Sequence, residues 1–199
     1  MLRAWRAMAG PRPFCYTGDM NIELRRAMTV EDYLAWGASQ PERVRAELIN
    51  GQVVLMAAEQ LKHVKAKFAV ASALTISIAH AGVHCHALTD GATIKIDEHT
   101  AYEPDACVYC GDELPGDTMV VPAPVIVAEV VSPTSRHHDT SAKLIGYFKL
   151  PSVVHYLVID PDQGTVTHYT REGAPATLSG GALRLDPPGI ELSVADLLR

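Results

Sequence analysis

The chain has 199 residues, of which 48% are hydrophobic and 20% are charged. These proportions are ordinary for a folded protein of one domain, so they exclude whole-chain disorder and collagen-like repeats. The formal net charge is −6, from 17 basic and 23 acidic residues, which argues against a protein that coats nucleic acid with a uniformly basic surface. A local basic cleft remains compatible with this total.

The two ends of the sequence and its cysteines bear on the class of protein. No stretch is apolar for long enough to span a membrane, and residues 1–10 lack the apolar core of a secretory signal. Residues 1–27 show no periodicity, so we predict a disordered leader there and a single domain over residues 28–199. We expect a cytoplasmic protein with reduced thiols, because the cysteines are too few for a disulfide scaffold. These cysteines are Cys15, Cys85, Cys107 and Cys110.

The first predicted elements of the domain are a short helix and a hairpin. Thr29 and Asp32 have a spacing close to that of an N-terminal capping box, which predicts a helix over residues 30–38. Asn50-Gly51 lies between two apolar runs, and both residues tolerate a positive φ, so this dipeptide predicts a hairpin turn. Glu47 would then lie on the first strand, near the turn.

A longer helix is predicted after the hairpin. Apolar residues recur there at spacings of three and four, which predicts one buried stripe on a helix that ends at Gly82. The stripe consists of Leu61, Val64, Phe68, Ala71, Leu74 and Ile78.

Most of the remaining chain has the pattern of strands. Strands are predicted over residues 83–88, 93–96, 105–109, 153–159 and 165–170. The run Pro124–Val131 is almost continuously apolar, as expected for a central strand that is covered on both faces.

A second main helix and two further features complete the pattern. The second helix is predicted over residues 136–149, after a break at Pro133-Thr134-Ser135. Gly180-Gly181 is expected to turn another hairpin, and Ser193 is expected to cap a last short helix. The predicted fold class is α+β, with one mixed, mainly antiparallel sheet flanked by helices.

Two carboxylates interrupt the apolar pattern. Asp105 follows Pro104 at the start of a strand, and Glu129 lies inside the apolar central strand. An ionised carboxylate in such a place is costly unless a cation or a proton accompanies it. If the two strands are neighbours, the carboxylates converge, and oxygen ligands of this kind favour Mg²⁺ or Mn²⁺.

A lysine on the second main helix adds to this pair. Asp139, Lys143 and Tyr147 are four residues apart, so they lie along one helical face. If that face turns toward the carboxylates, Lys143 could orient a water molecule or stabilise a phosphate oxygen. A carboxylate-bound metal beside a lysine suits phosphodiester hydrolysis.

Six short motifs occur in an order that resembles a known family. They are Glu-Leu-Ile-Asn-Gly at 47–51, His63, Glu-Pro-Asp at 103–105, Ala-Glu-Val-Val-Ser-Pro at 128–133, Asp-x-x-x-Lys-x-x-x-Tyr at 139–147 and Tyr-Leu-Val-Ile-Asp-Pro at 156–161. In this order they resemble the Uma-type restriction endonuclease family of the PD-(D/E)xK nuclease superfamily. The resemblance extends from about Thr29 to the C-terminus.

The resemblance implies a restriction-endonuclease-like core that hydrolyses DNA. It implies that Asp105 and Glu129 hold Mg²⁺ or Mn²⁺, with the backbone carbonyl of Val130 as a further ligand and Glu47 as an additional acid. The superfamily lysine usually follows the second acid by two positions, where this chain has Val131. The resemblance suggests that Lys143 replaces it, and it also suggests a homodimer.

Several of these residues have a simpler interpretation. Asp105 could accept backbone hydrogen bonds at the start of a strand, and Glu129 could be a structural acid paired with Lys143 or Arg136. Lys143 alone fits a solvated helix residue, and Glu47 fits an exposed residue beside a hairpin.

His63 and Tyr147 have two interpretations each. His63 either contacts the substrate phosphate or a water molecule, or is a surface or capping histidine. Tyr147 either contacts the substrate or is a core aromatic residue. Basic residues near the site are candidates to line a cleft: Lys62, Lys65, Lys67, Arg136 and Lys143.

Two other functional hypotheses remain open at this point. The valine at position 131, where the superfamily usually has its lysine, and the negative net charge of the chain are compatible with a catalytically idle nuclease-like fold that binds nucleic acid or protein. Cys107-x-x-Cys110 with His84-Cys85-His86 is compatible with zinc. On a strand, however, Cys107 and Cys110 point to opposite faces, so small buried cysteines explain the pattern better. His137-His138 fits either a solvated helix start or a contact with metal or phosphate.

Overall fold

The computed structural model of the chain describes residues 27–41, 44–131 and 139–199. The predicted leader, except for Ala27, lies outside the described residues. So do Pro133-Thr134-Ser135, Arg136 and His137-His138. None of the helices in the described ranges combines the length and the apolarity needed to cross a membrane.

A six-stranded sheet forms the centre of the domain. Its strand order is β10-β9-β8-β7-β6-β3. These strands are β3 (Cys85–Thr89), β6 (Ala106–Cys110), β7 (Pro124–Val130), β8 (His155–Asp160), β9 (Thr165–Thr170) and β10 (Ala176–Leu178). β7 and β8 are parallel, and every other neighbouring pair is antiparallel. The predicted α+β class with a mixed, mainly antiparallel sheet is therefore confirmed.

Both faces of the central strands are covered, as their apolar sequences predict. All six residues of β8 are buried, and six of the seven residues of β7 are buried. One face packs against α2 (Leu61–Ala81). On the opposite face, Tyr156 of β8 packs against Tyr147, which in turn contacts Tyr102. A parallel pair needs a crossover connection, and α3 (Asp139–Tyr147) lies within the one between β7 and β8.

The remaining strands form two smaller sheets, so the expectation of one sheet was too simple. The four-stranded sheet has the order β2-β1-β5-β4. Its strands are β1 (Ala46–Ile49), β2 (Gln52–Leu55), β4 (Ile94–Asp97) and β5 (Thr100–Tyr102). The two-stranded sheet pairs β11 (Ala182–Leu185) with β12 (Ile190–Ser193).

One of the two predicted hairpin turns is confirmed, and the other is wrong. Asn50 and Gly51 have φ values of 50° and 76° and join β1 to β2, which confirms the first hairpin. The hairpin predicted at Gly180-Gly181 is wrong. β10 pairs with β9 while β11 pairs with β12, so these glycines connect two different sheets.

The short helices at the two ends begin where the sequence predicts. α1 (Val30–Ser39) has the predicted capping box, in which the Asp32 amide donates to Thr29 Oγ1 at 3.1 Å. α4 (Val194–Leu197) follows Ser193, whose side chain makes no capping hydrogen bond.

The predicted buried stripe of α2 is wrong over its first half. Leu74 and Ile78 are buried, but Leu61 is 69% exposed and Phe68 is 74% exposed. Lys67 is buried in this half of the helix instead. The inward face of these first turns lies over a polar cluster rather than over the apolar core, so the apolar side chains face outward.

The expectation of reduced thiols is wrong for two of the cysteines. Cys85 on β3 and Cys110 on β6 are register partners and form a disulfide. Cys107 is a free, buried thiol whose pKa burial raises to about 12. The zinc hypothesis therefore fails, because two of its sulfur ligands are bonded to each other and the third faces the core.

Candidate functional site

A cavity of about 890 Å³ opens where the first turns of α2 approach the end of β7. Its walls come from the β1–β2 hairpin, the segment before α2, the start of β6, the end of β7, α3 and the β8–β9 turn. The polar residues that line it are Glu47, Glu59, Gln60, Lys62, His63, Asp105, Glu129, Lys143 and Asp162.

Asp105 and Glu129 come together because their strands are antiparallel neighbours. Ala106 of β6 pairs with Ala128 of β7, which places Asp105 beside the end of β7 that carries Glu129. Both carboxylates are buried, with 4% and 8% of the residue exposed. The Val130 amide donates a hydrogen bond of 2.6 Å to Asp105 Oδ2 and fixes that carboxylate against the neighbouring strand.

Lys143 joins Glu129 to Glu47. Its Nζ lies 3.0 Å from Glu129 Oε1 and 3.0 Å from Glu47 Oε1. Lys143 and Tyr147, two residues of the predicted helical face, thus turn toward Glu129. Glu47 reaches the site from β1 and accepts a hydrogen bond of 2.9 Å from the Glu103 amide. Elements distant in the sequence therefore deliver two acids to one buried ammonium group.

Tyr147 supports this arrangement from the core. Its ring is fully buried between Tyr102 and Tyr156, and its hydroxyl donates to Glu129 Oε1 at 2.8 Å. The ring does not line the cavity, so its interpretation as a core aromatic residue agrees with the geometry. A direct contact between Tyr147 and a substrate does not, because its hydroxyl is directed at Glu129.

The electrostatics of the cluster favour a bound cation. Burial raises the pKa of Glu129 to about 8, and the nearby charges of Asp105 and Glu47 add to this effect while Lys143 and Tyr147 oppose it. Burial and the charge of Glu129 also hold the pKa of Tyr147 well above its ordinary value. A carboxylate with a raised pKa gains from a proton or a metal ion beside it.

The residues of the cluster fit a magnesium or manganese ion. Asp105, Glu129 and Glu47 offer hard oxygen ligands, which these cations prefer over nitrogen or sulfur. Val130 lines the cavity beside them, and its carbonyl as a further ligand stays a prediction.

A second buried lysine, Lys67, contacts Asp105. Lys67 Nζ is 2.6 Å from Asp105 Oδ1, 2.5 Å from Glu59 Oε1 and 3.1 Å from Asp90 Oδ1. Burial lowers the pKa of Lys67, but Asp105 and Glu59 more than offset this effect, so the pKa lies above its ordinary value. The sequence suggested Lys67 as one of several cleft-lining cations and gave no signal for its burial or its three partners.

His63 and the rim of the cavity complete the site. His63 Nε2 lies 3.9 Å from Asp105 Oδ2, and the ligand atoms of Glu59, His63 and Asp105 all lie within 4.8 Å of one another. At the rim, Lys62 pairs with Asp162 at 2.7 Å. His63 is thus close enough to the carboxylates to contact a ligand there, and both of its interpretations remain compatible with the geometry.

Comparison with known proteins gives a family match and a structural neighbour. A family model described as "Uma2: Putative restriction endonuclease" matches residues 30–195. The uncharacterized protein sll1609 of Synechocystis sp. (strain ATCC 27184 / PCC 6803 / Kazusa) is 24% identical over 156 residues, which cover 77% of this chain and 86% of that protein.

The structural neighbour is a crystal structure of a putative nuclease belonging to DUF820 from Anabaena variabilis ATCC 29413. The two folds superpose with a TM-score of 0.68 at 18% sequence identity, over 86% of this chain and 97% of the other. At this level of identity the likeness concerns the fold.

Proposed function

This chain belongs to the Uma2 family, and on that premise we propose that it is a metal-dependent endonuclease that hydrolyses phosphodiester bonds in DNA. One observation carries the proposal. Glu47, Asp105, Glu129 and Lys143 come from four separate segments and meet at one wall of a single open cavity. Buried acids that converge beside a lysine are typical of a site for charge-stabilised chemistry.

Asp105 and Glu129 would hold Mg²⁺ or Mn²⁺, with the backbone carbonyl of Val130 as a further ligand. When bound, such an ion withdraws electrons from the phosphate and lowers the pKa of a water molecule. The protein fixes the Asp105 carboxylate through the Val130 amide and the Glu129 carboxylate through Tyr147.

Lys143 would act on the reacting groups from the side of α3. Its ammonium group is held between Glu47 and Glu129, so its position is set before a substrate arrives. A fixed positive charge at that point stabilises the negative charge that develops on the phosphate, or orients the attacking water. Glu47 thereby contributes by holding Lys143 as well as by adding negative charge to the metal site.

The substrate would enter from the side of α2. Lys62 lies at the rim, where a phosphate group could replace its present partner Asp162. His63, in the first turn of α2, is the candidate for a contact with the phosphate or with a water molecule. The overall negative charge of the chain then matters little, because the local cations at the rim are the ones that meet the DNA.

A homodimer is part of the proposal. Leu61 and Phe68 expose large apolar side chains on α2, and Leu55 exposes another on the edge strand β2 beside the cavity. A partner copy that packs against Leu61 and Phe68, outside the mouth of the cavity, would cover these two side chains and place two sites near the two strands of a duplex. Light scattering coupled to size-exclusion chromatography should give twice the mass of one chain. A monomer at micromolar concentration would show this part to be wrong.

Cleavage of supercoiled plasmid DNA tests the proposed activity. Protein stripped with EDTA should be inactive, and added Mg²⁺ or Mn²⁺ should restore cleavage to the wild type but not to Glu129→Gln. Glu113→Gln, at an exposed acid outside the cavity, is the matched control. DNA binding by the wild type without any metal-dependent cleavage would favour the alternative of a catalytically idle binding module.

A further inference from the structure

Glu59, His63 and Asp105 form a second group of metal-ligating side chains. Their ligand atoms lie within 4.8 Å of one another, and two of the three residues lie on α2 or just before it. Two carboxylate oxygens and one imidazole nitrogen suit Mn²⁺ and other divalent transition metals. By composition alone, this group could hold a second ion beside the one proposed at Asp105 and Glu129.

The ammonium group of Lys67 already occupies this place. Its three N–H donors match three carboxylate acceptors, on Asp105, Glu59 and Asp90, at distances of 2.5 to 3.1 Å. A divalent ion on Glu59 and Asp105 would have to bind two of the carboxylates that Lys67 holds. Only 2% of Lys67 is exposed, so its ammonium group cannot reach water while the side chain stays in place.

Lys67 also fixes the direction of Asp105. One carboxylate oxygen, Oδ1, accepts from Lys67 at 2.6 Å, and the other, Oδ2, accepts from the Val130 amide at 2.6 Å. With both oxygens held, the carboxylate plane cannot rotate. Each oxygen keeps a further lone pair that a metal ion could use.

We infer that Lys67 is a built-in cation that takes the place of a second divalent metal at Glu59, His63 and Asp105. It limits the site to one metal ion and positions Asp105 to bind that ion. The inference rests on the proposed function only for the ion at Asp105 and Glu129. Glu59, His63 and Asp105 lie close together whether or not that ion binds. Lys67 is therefore a positioning residue, and its removal opens a metal site.

Binding of Mn²⁺ to the full chain without a histidine tag tests this inference. The number of bound ions is measured by equilibrium dialysis and by the loss of the free Mn²⁺ signal in electron paramagnetic resonance. Lys67→Met should bind one ion more than the wild type, and Lys67→Met with His63→Ala should lose that extra ion. Lys65→Met, at an exposed lysine of the same helix, should bind as the wild type does.

Two outcomes would overturn the inference. A folded Lys67→Met that binds no more Mn²⁺ than the wild type contradicts it. So does a wild type that loses one ion on His63→Ala, since the second site would then be filled despite Lys67. That second comparison does not need Lys67→Met to fold.

The same measurements separate this inference from the proposed function. If the wild type binds no Mn²⁺, the proposed metal site at Asp105 and Glu129 fails. An ion gained by Lys67→Met and lost again on His63→Ala would still support the role of Lys67. As a second readout, Mn²⁺ should raise the melting temperature of Lys67→Met more than that of Lys67→Met with His63→Ala, because the ion binds only the folded form of the opened site.

Discussion

Lys143 donates a hydrogen bond of 3.0 Å to Glu129, although the two residues are 14 positions apart in the chain. In the superfamily that the sequence resembles, the lysine follows the second acid by two positions, where this chain has Val131, just after the end of β7. Here α3 follows β7 along the chain and directs its lysine back at the end of that strand. The helix thereby supplies an ammonium group that the strand itself lacks.

Removal of the Lys143 charge should impair cleavage more than binding. We expect Lys143→Met to lower the rate of DNA cleavage by about 100- to 1,000-fold, the usual loss for one preorganised charge that acts on the transition state. Single-turnover cleavage of plasmid DNA measures this rate, and a DNA mobility shift measures binding. Lys149→Met, at an exposed lysine just after α3, is the control. A Lys143→Met rate within a few-fold of the control would show that Lys143 has no role in the reaction.

The metal-free protein should become less stable as the pH rises through the titration of Glu129. The pKa of Glu129 is raised from 4.5 to about 8 by burial. Between these values the folded protein keeps a proton that the unfolded chain releases, so the free energy of unfolding falls with increasing pH. Glu129→Gln has no such proton and should lack this part of the pH dependence.

Urea unfolding in EDTA, across that pH window, measures this effect. The quantity to compare is the difference in unfolding free energy between the wild type and Glu129→Gln, because the titrating groups distant from Glu129 then cancel. Glu113→Gln should run parallel to the wild type. A difference between wild type and Glu129→Gln that stays constant with pH would contradict the raised pKa.

The Cys85–Cys110 disulfide should stabilise the fold. It closes a loop between residues 25 positions apart, and removal of a crosslink of this kind typically costs about 3 kcal/mol of unfolding free energy. The double variant Cys85→Ser with Cys110→Ser should lose this amount in urea unfolding without reductant. Reductant should lower the unfolding free energy of the wild type to the same value and leave that of the double variant unchanged.

An unchanged wild-type stability on reduction would argue against the bond, as would free thiols at both positions in peptide mass spectrometry. The result also bears on location. A cytoplasmic location stays a prediction, and thiols in that compartment are normally kept reduced.

The sequence identifies Asp105 and Glu129 as candidates because these two carboxylates interrupt the apolar pattern of their strands. A charged residue in an apolar strand is conspicuous, and strand alternation with short turns made β6 and β7 plausible neighbours. The position of Lys143 followed from a helical repeat and a family resemblance. In each case the signal lies within a few residues of the site residue.

Lys67 carried no such signal. Its partners lie on three other segments, at Glu59, Asp90 and Asp105. The periodicity of α2 predicted a buried stripe that holds only in the second half of the helix, at Leu74 and Ile78. The burial of Lys67 is decided by charges that only the folded chain brings together.

The arrangement of the strands in three sheets could not be predicted from the sequence, for a related reason. The segments of β3 and β4 are separated by Asp90-Gly91, which predicts a hairpin turn from the sequence, but the two strands lie in different sheets. The choice of sheet depends on long-range pairing with β6 and β5, which local turn chemistry does not encode.

Cleavage of supercoiled plasmid DNA by the wild type and by Asp105→Asn, in Mg²⁺ and in Mn²⁺, tests the metal-nuclease assignment most directly. Asparagine keeps an acceptor for the Val130 amide but removes the negative charge that a metal needs, and circular dichroism verifies the fold. We predict metal-dependent nicking by the wild type and a rate at least about a hundredfold lower for Asp105→Asn. Cleavage by the folded Asp105→Asn variant at the wild-type rate would contradict the assignment.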